Sequence, residues 1–243
     1  MNLLVKFPTR GRKIRFVDVM ARVLNNTVDF DKTKFLLTLD SDDPEMDEDF
    51  VKNRIAFYKR VYGDELEIDY FYGTSKNKID AVNRDVDRYT KPWDILLLLS
   101  DDMDCEKYGY DRIIRMDMEG VAPDLDCVLY YPDGFTDLNT MPIIGRKYYE
   151  RFNYIYYPGY ESFFCDNEFM ETSILARKHF QSKLMLFRHN HPIWTGKGWD
   201  PTYEKNNTTW EQDKKLFEER REAKRRLIQV TNETKYTDGN ARI

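Results

Sequence analysis

Three carboxylates directly follow a short apolar segment, and this arrangement is the strongest indication of chemistry in the sequence. Residues 95–99 are all apolar, and Asp101, Asp102 and Asp104 come just after them. Such a run is typical of a strand that is buried on both faces of a parallel sheet. Carboxylates at the end of this strand would repel one another unless a cation lay between them, and Mg²⁺ and Mn²⁺ prefer such oxygen ligands. The segment predicts either a metal site for a phosphate-bearing ligand or an acidic turn that caps the next helix.

Two earlier loops occupy the same position relative to their strands. Thr9, Arg10 and Arg12 follow a predicted strand at residues 3–7, and an arginine there can stack on a base, reach a phosphate or simply be solvated. The loop contains neither a GxGxxG nor a Walker A pattern, so a dinucleotide or P-loop site is disfavoured.

The second loop carries Asp40 and Asp42 after a predicted strand at residues 35–39. A carboxylate at this place can accept hydrogen bonds from a base N–H or a ribose hydroxyl, or it can cap the helix that follows. We predict that helix from Pro44, placed in its first turn, to about residue 62.

The second half of the chain offers candidates for proton transfer and for metal binding. Asp166 follows a run of aromatic residues, and it could act as a general base with Glu168 fixing its geometry. Both acids could instead be the acidic first turn of a helix predicted over residues 166–178. His189 and His191 follow a predicted strand at residues 184–188, and either imidazole could reach the metal held by Asp102 and Asp104.

Composition excludes several classes of protein. The chain has 243 residues, of which 41% are hydrophobic and 33% are charged, so it should fold as one large domain or as a domain with an appendage. A net charge of −5 disfavours non-specific DNA binding, which depends on neutralising phosphates. Three cysteines without CxxC spacing argue against a zinc site or a disulfide framework, and indicate reduced thiols in the cytoplasm. We expect neither a signal peptide nor an integral membrane segment.

Strands and helices alternate regularly through residue 131, which predicts an α/β fold with a mostly parallel central sheet and helices on both faces. A polar helix is predicted over residues 75–89, and strands over 68–72 and 127–131. Beyond them we expect a short strand or turn at 142–145, a helix at 146–152 and a Gly-containing aromatic loop over 189–199.

A final helix is predicted from a capping box at residues 208–211 to about residue 228. It carries a basic run over residues 220–226, which we interpret as a solvated face rather than as a groove for DNA. The last dozen residues are polar.

Read in order, these pieces resemble the GT-A-type glycosyltransferases of the family 2-like group, which use nucleotide-sugar donors. The resemblance extends over residues 3–203 and rests on the following motifs: Pro8-Thr9-Arg10-Gly11-Arg12, the acidic end of the second strand, Leu98-Leu99-Ser100-Asp101-Asp102-Met103-Asp104, Ile144-Gly145-Arg146 with the segment 148–152, Tyr160-Glu161-Ser162-Phe163-Phe164-Cys165-Asp166-Asn167-Glu168-Phe169, and His189-Asn190-His191-Pro192. It implies a GT-A domain over residues 1–203, with a Rossmann-like nucleotide-sugar-binding half (1–131) and an acceptor half (132–203). Residues 204–243 would form a C-terminal helix and a polar tail.

The resemblance also implies roles for individual residues. The metal, Mn²⁺ or Mg²⁺, would be held by Asp102, Asp104 and His191, and Asp166 would be the base with Glu168 beside it. The usual Gly-rich segment after the third strand is replaced here by residues 73–78. The donor nucleotide would be bound by the remaining candidates: Thr9, Arg10, Arg12, Asp40, Asp42, Lys76, Asn77, Lys78 and Asp101.

The predicted activity is metal-dependent transfer of a hexosyl or pentosyl group from a nucleotide-sugar, with a UDP-sugar favoured, to an acceptor hydroxyl. A one-step inverting displacement is preferred, because a positioned base is more evident than a nucleophile. The acceptor could be a glycan, a small molecule or a hydroxylated nucleobase in DNA. The alternatives are a nucleotidyltransferase and a nucleotide-sugar-binding module that has lost its chemistry.

Overall fold

A seven-stranded sheet lies at the centre of the computed structural model, which describes residues 1–196, 204 and 207–239. The strands are β1 Leu3–Thr9, β2 Thr33–Asp40, β3 Glu67–Gly73, β4 Ile95–Leu98, β5 Met103–Cys105, β6 Val128–Tyr130, β7 Ile143–Gly145, β8 His179–Gln181 and β9 Phe187–His189. The helices are α1 Lys13–Asn26, α2 Glu48–Tyr62, α3 Lys78–Asn83, α4 Tyr110–Val121, α5 Arg146–Tyr149, α6 Cys165–Leu175, α7 Pro192–Thr195 and α8 Trp210–Gly239.

The order of strands in the large sheet is β3-β2-β1-β4-β7-β6-β8. The first four of these are parallel to one another, β7 runs antiparallel to both of its neighbours, and β8 is parallel to β6. The predicted α/β fold with a mostly parallel sheet is therefore confirmed. Its four parallel strands direct their carboxyl ends to one edge, which is where ligands bind in open α/β sheets.

Helices cover both faces of the sheet, as the alternation of side chains along a strand requires. Val5 points into a core cluster with Phe16 of α1 and with buried residues of α2 and α4. Its neighbour Leu4 points into a second cluster with Phe169 of α6 and Phe217 of α8. The C-terminal helix is thus packed against the same side of the sheet as α6.

The second helix begins later than the sequence predicted. Pro44 lies in the preceding loop, and α2 begins at Glu48 after Asp47, whose carboxylate accepts a hydrogen bond of 2.9 Å from Phe50 N. The prediction that Pro44 occupies the first turn is therefore wrong, because Asp47 supplies the cap. The acidic residues before Asp47 are left outside the helix, at the edge of the sheet.

The polar helix predicted over residues 75–89 is also shorter than expected, since α3 ends at Asn83. Asp85 has a left-handed backbone with φ of 74°, and its buried carboxylate accepts hydrogen bonds from Thr38 Oγ1 at 2.9 Å and from Arg84 Nη1 at 3.1 Å. Lys6, also buried, donates to the same Thr38 hydroxyl. These polar contacts with the sheet replace the helical conformation that the side-chain spacing favoured.

Two short strands form a separate antiparallel ribbon that follows the acidic turn. Met103 of β5 pairs with His189 of β9, and Cys105 pairs with Phe187. The sequence located β9 only approximately and missed β5 and β8, because segments of three residues carry little periodic signal. The ribbon brings the acidic turn beside the histidines.

The remaining boundaries agree in type with the predictions. The strand or turn at 142–145 is β7, and the helices predicted at 146–152 and 166–178 are α5 and α6. Residues 197–203, at the end of the predicted aromatic loop and at the predicted domain boundary, lie outside the described residues. Among the residues described, no helix is both long and apolar enough to cross a bilayer.

Candidate functional site

The carboxyl ends of β1, β2 and β4 meet at one edge of the sheet and carry most of the predicted site residues there. Thr9 ends β1, Asp40 ends β2, and the turn with Asp101 and Asp102 follows β4. Parallel pairing sets these positions, since β1 is hydrogen-bonded to β2 on one side and to β4 on the other. The prediction that these loops lie together follows directly from this topology.

Asp101 is buried and bound by the first loop. Arg12 Nη1 donates to its Oδ1 at 2.6 Å, and Thr9 Oγ1 lies 3.4 Å from its Oδ2. Burial raises the pKa of Asp101 to about 6, against the opposing charge of Arg12 and with added repulsion from Asp102. The predicted donor-binding residues of the first loop therefore organise the acidic turn.

Asp102 faces an imidazole from β9. His189 Nε2 lies 3.5 Å from Asp102 Oδ2, and His189 Nδ1 lies 3.3 Å from Asp133 Oδ2. Burial lowers the pKa of His189, but its two carboxylate partners outweigh burial and raise it to about 9. The ring is therefore a cation at neutral pH when it is held between Asp102 and Asp133.

The two other predicted metal ligands have different surroundings. Asp104 accepts a hydrogen bond of 2.8 Å from Asn190 Nδ2 and lies 3.4 Å from Arg22 Nη1. Burial lowers the pKa of His191 to about 4 despite the nearby charge of Asp102, so this imidazole is neutral. Its Nδ1 accepts from Ile193 N at 3.2 Å, which places the ring proton on Nε2 in this conformation.

The donor set can be tested against a divalent metal. Within the described part of the chain, no three His, Cys, Asp or Glu side chains are close enough together to hold a metal ion by themselves. Mg²⁺ sites commonly use only one or two protein carboxylates and complete the shell with substrate phosphates and water. Asp102 with the neutral His191 fits a site of that kind, provided that His191 releases Ile193 N when its lone pair binds a metal.

The second loop is organised by two arginines that share Asp40. Arg10 Nη1 lies 2.9 Å from Asp40 Oδ2 and also binds Asp42, while Arg84 Nη2 lies 3.1 Å from Asp40 Oδ1. Ser75 completes the shell of Asp40 with its N–H at 3.1 Å. A Cβ at Gly73 would lie 2.5 Å from Arg84 Nη1, so a larger residue there would require the Arg84 side chain to shift.

The three candidates in the segment 73–78, which replaces the Gly-rich loop, have different surroundings. Lys76 donates its backbone N–H to Asp80 at 2.9 Å, and Asn77 caps α3 by accepting from Asp80 N at 2.9 Å. Lys78 is exposed at the start of α3, and its charge lowers the pKa of both Asp166 and His191. Lys78 is thus the candidate of this segment whose charge acts on two of the predicted site residues.

Asp166 lies half-buried in the first turn of α6. Burial raises its pKa, against the charges of Lys78 and His189 and a hydrogen bond of 2.9 Å from Asn167 N. Cys165, at the start of α6, and Ile79 of α3 belong to one core cluster, so the first turn of α6 lies on the same side of the sheet as α3. A half-buried carboxylate with a raised pKa is suited to general-base work.

The Glu168 carboxylate binds side chains of α8 and Tyr160, and no hydrogen bond joins it to Asp166 among the described residues. Its carboxylate accepts from Arg220 Nε at 2.8 Å, from Lys224 Nζ at 2.6 Å and from Tyr160 Oη at 2.6 Å. Burial opposes its ionisation, but these donors outweigh burial and lower its pKa to about 2. We therefore withdraw Glu168 as the partner that fixes Asp166 and assign it to the contact between α6 and α8.

The same contact corrects our interpretation of the basic run at residues 220–226. Arg220 and Lys224 bind Glu168, and Arg221 Nη2 lies 2.8 Å from Glu171 Oε1. These three cations pair with α6 instead of forming a purely solvated face.

Sequence reasoning missed Asp133, Arg84 and Asp213, which hold a site residue or a segment beside one. Each acts across a separation of dozens of residues, which local periodicity cannot report. For Arg84, the available signal was that two adjacent charged residues, Arg84 and Asp85, interrupt the amphipathic pattern of the helix predicted over residues 75–89. For Asp213, the available signal was its spacing: an acid lies three residues after Trp210 and four before Phe217, on the face of the last helix that carries the aromatic residues.

Comparison with known proteins identifies the fold. No protein-family model and no curated protein sequence matches this chain. Among solved structures, the mannosyltransferase PcManGT from Pyrobaculum calidifontis, in complex with GDP-Man and Mn²⁺, matches 78% of this chain and 56% of its own, with a TM-score of 0.60 and 10% identity. TarS 1–349 from S. aureus, in complex with UDP-GlcNAc, matches 84% of this chain and 61% of its own, with a TM-score of 0.60 and 11% identity.

A nucleotidyltransferase is also similar in fold. The 4-diphosphocytidyl-2C-methyl-D-erythritol synthase from Anaerococcus prevotii matches 74% of this chain and 86% of its own, with a TM-score of 0.50 and 11% identity. Both glycosyltransferase matches have higher TM-scores, although this chain spans less than two thirds of their lengths. The chain has the GT-A-type α/β fold found in glycosyltransferases that use nucleotide-sugars.

Proposed function

We propose that the protein is a metal-dependent glycosyltransferase that moves a sugar from a nucleotide-sugar to an acceptor hydroxyl. One observation carries this proposal: at the carboxyl edge of the parallel strands, the buried Asp102 lies 3.5 Å from the His189 imidazole, next to Asp101, which Thr9 and Arg12 hold. Ligands bind at this edge in open α/β sheets. Transfer of a glycosyl group to a hydroxyl also requires a general base near the donor, and we assign this role to Asp166.

The reaction proposed is a single inverting displacement. The Asp166 carboxylate accepts the proton of the acceptor hydroxyl while the hydroxyl oxygen forms a bond to the anomeric carbon, and the bond from that carbon to the diphosphate oxygen breaks. The nucleoside diphosphate leaves with the bonding electrons. A divalent metal bound with Asp102 and His191, and with Asp104 if its carboxylate turns from Asn190, would offset charge on that leaving group.

Residues of the chain would supply the remaining contacts with the donor. Lys78 would face the diphosphate from the start of α3. The nucleoside would be bound by Arg10 with Asp40 and Asp42, and by Arg12 and Thr9, which hold Asp101. We also assign Lys76 and Asn77 to donor binding, at the border of the nucleoside subsite, because they directly precede α3.

The finer specificity follows the sequence prediction. We favour a UDP-sugar, although the described neighbours include complexes of both GDP-Man and UDP-GlcNAc. Either a hexosyl or a pentosyl group would be transferred, to a glycan, a small molecule or a hydroxylated nucleobase in DNA. Three buried free cysteines support the proposed cytoplasmic setting.

Product analysis tests the activity. We expect the protein with Mn²⁺ to release nucleoside diphosphate from at least one donor of a panel containing UDP-glucose, UDP-GlcNAc and GDP-mannose. The Asp102→Ala variant should lose this release, whereas Asp124→Ala, at a surface carboxylate paired with Lys147, should keep it. No release from any donor, with folding intact, would contradict the proposal.

The second candidate is a nucleotidyltransferase, and the fold of the cytidylyl-type synthase from Anaerococcus prevotii favours it. Such an enzyme would be expected to offer a basic, Gly-rich triphosphate loop after the first strand. The segment 9–12 has two arginines, but Arg10 binds Asp40 and Asp42, and Arg12 binds Asp101. Release of pyrophosphate from a nucleoside triphosphate and a sugar phosphate would favour this candidate over the glycosyltransferase.

A further inference from the structure

Asp213 is a fully buried carboxylate of α8 that binds three successive backbone amides. Its oxygens accept from Glu161 N at 2.9 Å, from Ser162 N at 2.8 Å and from Phe163 N at 2.8 Å. The Thr209 hydroxyl lies 3.3 Å from the same carboxylate. Hydrogen bonds from backbone N–H groups to a carboxylate are short and strong, so they fix the backbone of this segment.

The segment held by Asp213 leads directly into α6. The next residue, Phe164, has a left-handed backbone with φ of 59°, and α6 begins at Cys165. The Phe164 ring lies between two rings of α8, with centroid distances of 4.8 Å to Trp210 and 5.6 Å to Phe217. The turn that aims the first residues of α6 is therefore set by side chains of α8.

One stripe of α8 makes all of these contacts and continues along α6. Its members are separated alternately by three and four residues, which places them on one face of a helix. They are Trp210, Asp213, Phe217, Arg220 and Lys224. The last two bind Glu168, so the stripe holds α6 on both sides of Asp166 in sequence.

We propose that Asp213 is a positioning residue for Asp166, and that α8 is consequently a part of the transfer site. This inference rests on the proposed function. A general base must lie within hydrogen-bond reach of the proton that it accepts, and a displacement of about 1 Å can cost about 100-fold in rate. Asp213 acts on the segment that ends three residues before Asp166, without being one of the groups that touch the donor.

The matched pair Asp213→Asn and Arg221→Met tests this role. Both change an α8 contact, but Arg221 pairs with Glu171 on the outer side of α6 and leaves the segment 161–163 untouched. Each variant is assayed equally far below its own melting temperature, by Mn²⁺-dependent release of UDP from UDP-GlcNAc or of GDP from GDP-mannose. Affinity for UDP with Mn²⁺ is measured by calorimetry, and amide hydrogen exchange is followed over residues 161–168.

We expect kcat of Asp213→Asn to fall by about tenfold or more, while the Kd for UDP changes by less than about twofold, because the base moves but the sheet edge does not. Exchange should accelerate at residues 161–163 in this variant alone. Arg221→Met should keep kcat within about threefold of the wild type. If Asp213→Asn does not fold, Thr209→Val, which removes only the hydroxyl beside Asp213, should lower kcat in the same direction with Kd unchanged.

The outcomes separate this inference from the function on which it rests. A wild-type protein that turns over no nucleotide-sugar overturns the proposed function. An active wild type, together with an unchanged kcat in Asp213→Asn, overturns the positioning role alone. Equal losses of kcat in Asp213→Asn and Arg221→Met also overturn it, since they would show that Asp213 only stabilises the contact between α6 and α8, as Arg221 does.

Discussion

The edge of the parallel sheet and the region formed by α6 and α8 hold their site residues in different ways. At the sheet edge, Asp40 and Asp101 are fixed by arginines of neighbouring loops, such as Arg10 and Arg12, whose positions follow from strand pairing. In the α6–α8 region, the helix that carries Asp166 is fixed by Asp213, which lies far along the chain. A regular topology therefore assembles the proposed donor side, whereas the proposed acceptor side depends on long-range contacts between α6 and α8.

The largest expected effect tests the acceptor side. Asp166→Asn keeps the shape of the side chain but removes its basicity, so sugar transfer should fall by about two to four orders of magnitude. Affinity for the donor should persist, because the sheet edge is unchanged. Steady-state kinetics with calorimetric titration of UDP measures both quantities, and a collapse of donor affinity would show that Asp166 is a ligand or a cap instead.

The next effect tests the donor side. Arg84→Met removes one of the two arginines that bind the buried Asp40. Loss of a hydrogen bond to a charged group costs about 1.5–3 kcal/mol, so donor affinity should fall by about tenfold when Asp40 is less firmly held in the proposed nucleoside subsite. Arg88→Met is the matched control, because Arg88 is more exposed and contacts Asp85 without reaching Asp40. Comparable loss of affinity in both variants would contradict the role of Arg84 in holding Asp40 for the donor.

A pH profile probes the place where the two regions meet. Asp166 must be ionised to act as a base, and burial raises its pKa, so kcat should fall on acidification at a pH above the ordinary range of aspartate, about 3.9. The charge of Lys78 opposes this shift. Lys78→Met should therefore move the acidic limb of the kcat profile to higher pH. An acidic limb at unchanged or lower pH would show that Lys78 does not act on the pKa of the base.

The smallest effect concerns the basic run of α8. Arg220 and Lys224 already pair with Glu168, and Arg221 pairs with Glu171, so duplex DNA should bind weakly and replacement of the three cations by Ala should change binding little. Fluorescence anisotropy at rising salt concentration checks this. Micromolar binding at low salt that vanishes in the triple variant would instead make nucleic acid the leading acceptor.

The two regions also differ in how far the sequence predicts them. The alternation of apolar strands and amphipathic helices predicts the parallel sheet, and the acidic and basic residues after β1, β2 and β4 are brought to one edge as expected. Where local rules failed, a side chain made a non-local polar contact: Asp85 turned to Thr38 and ended α3, and Glu168 turned to α8. Such contacts depend on the three-dimensional placement of elements, which periodicity and capping do not encode.

The same limit applies to the metal ligands. Spacing groups Asp102 and Asp104 together, but the pairing of β5 with β9 places Asn190 on Asp104 and His189 on Asp102. Strands of three residues leave almost no sequence signal, so this arrangement could not be foreseen. Direct metal binding by Asp102 accordingly remains the prediction on which the account depends most.

Calorimetric titration of UDP into the protein, with and without Mn²⁺, tests that prediction most directly. The wild type should bind UDP more tightly with Mn²⁺, and Asp102→Ala should lose the Mn²⁺-dependent part while remaining folded, because Asp102 lies outside the two apolar core clusters. Asp124→Ala should behave as the wild type. An unchanged Mn²⁺-dependent affinity in Asp102→Ala would contradict the account.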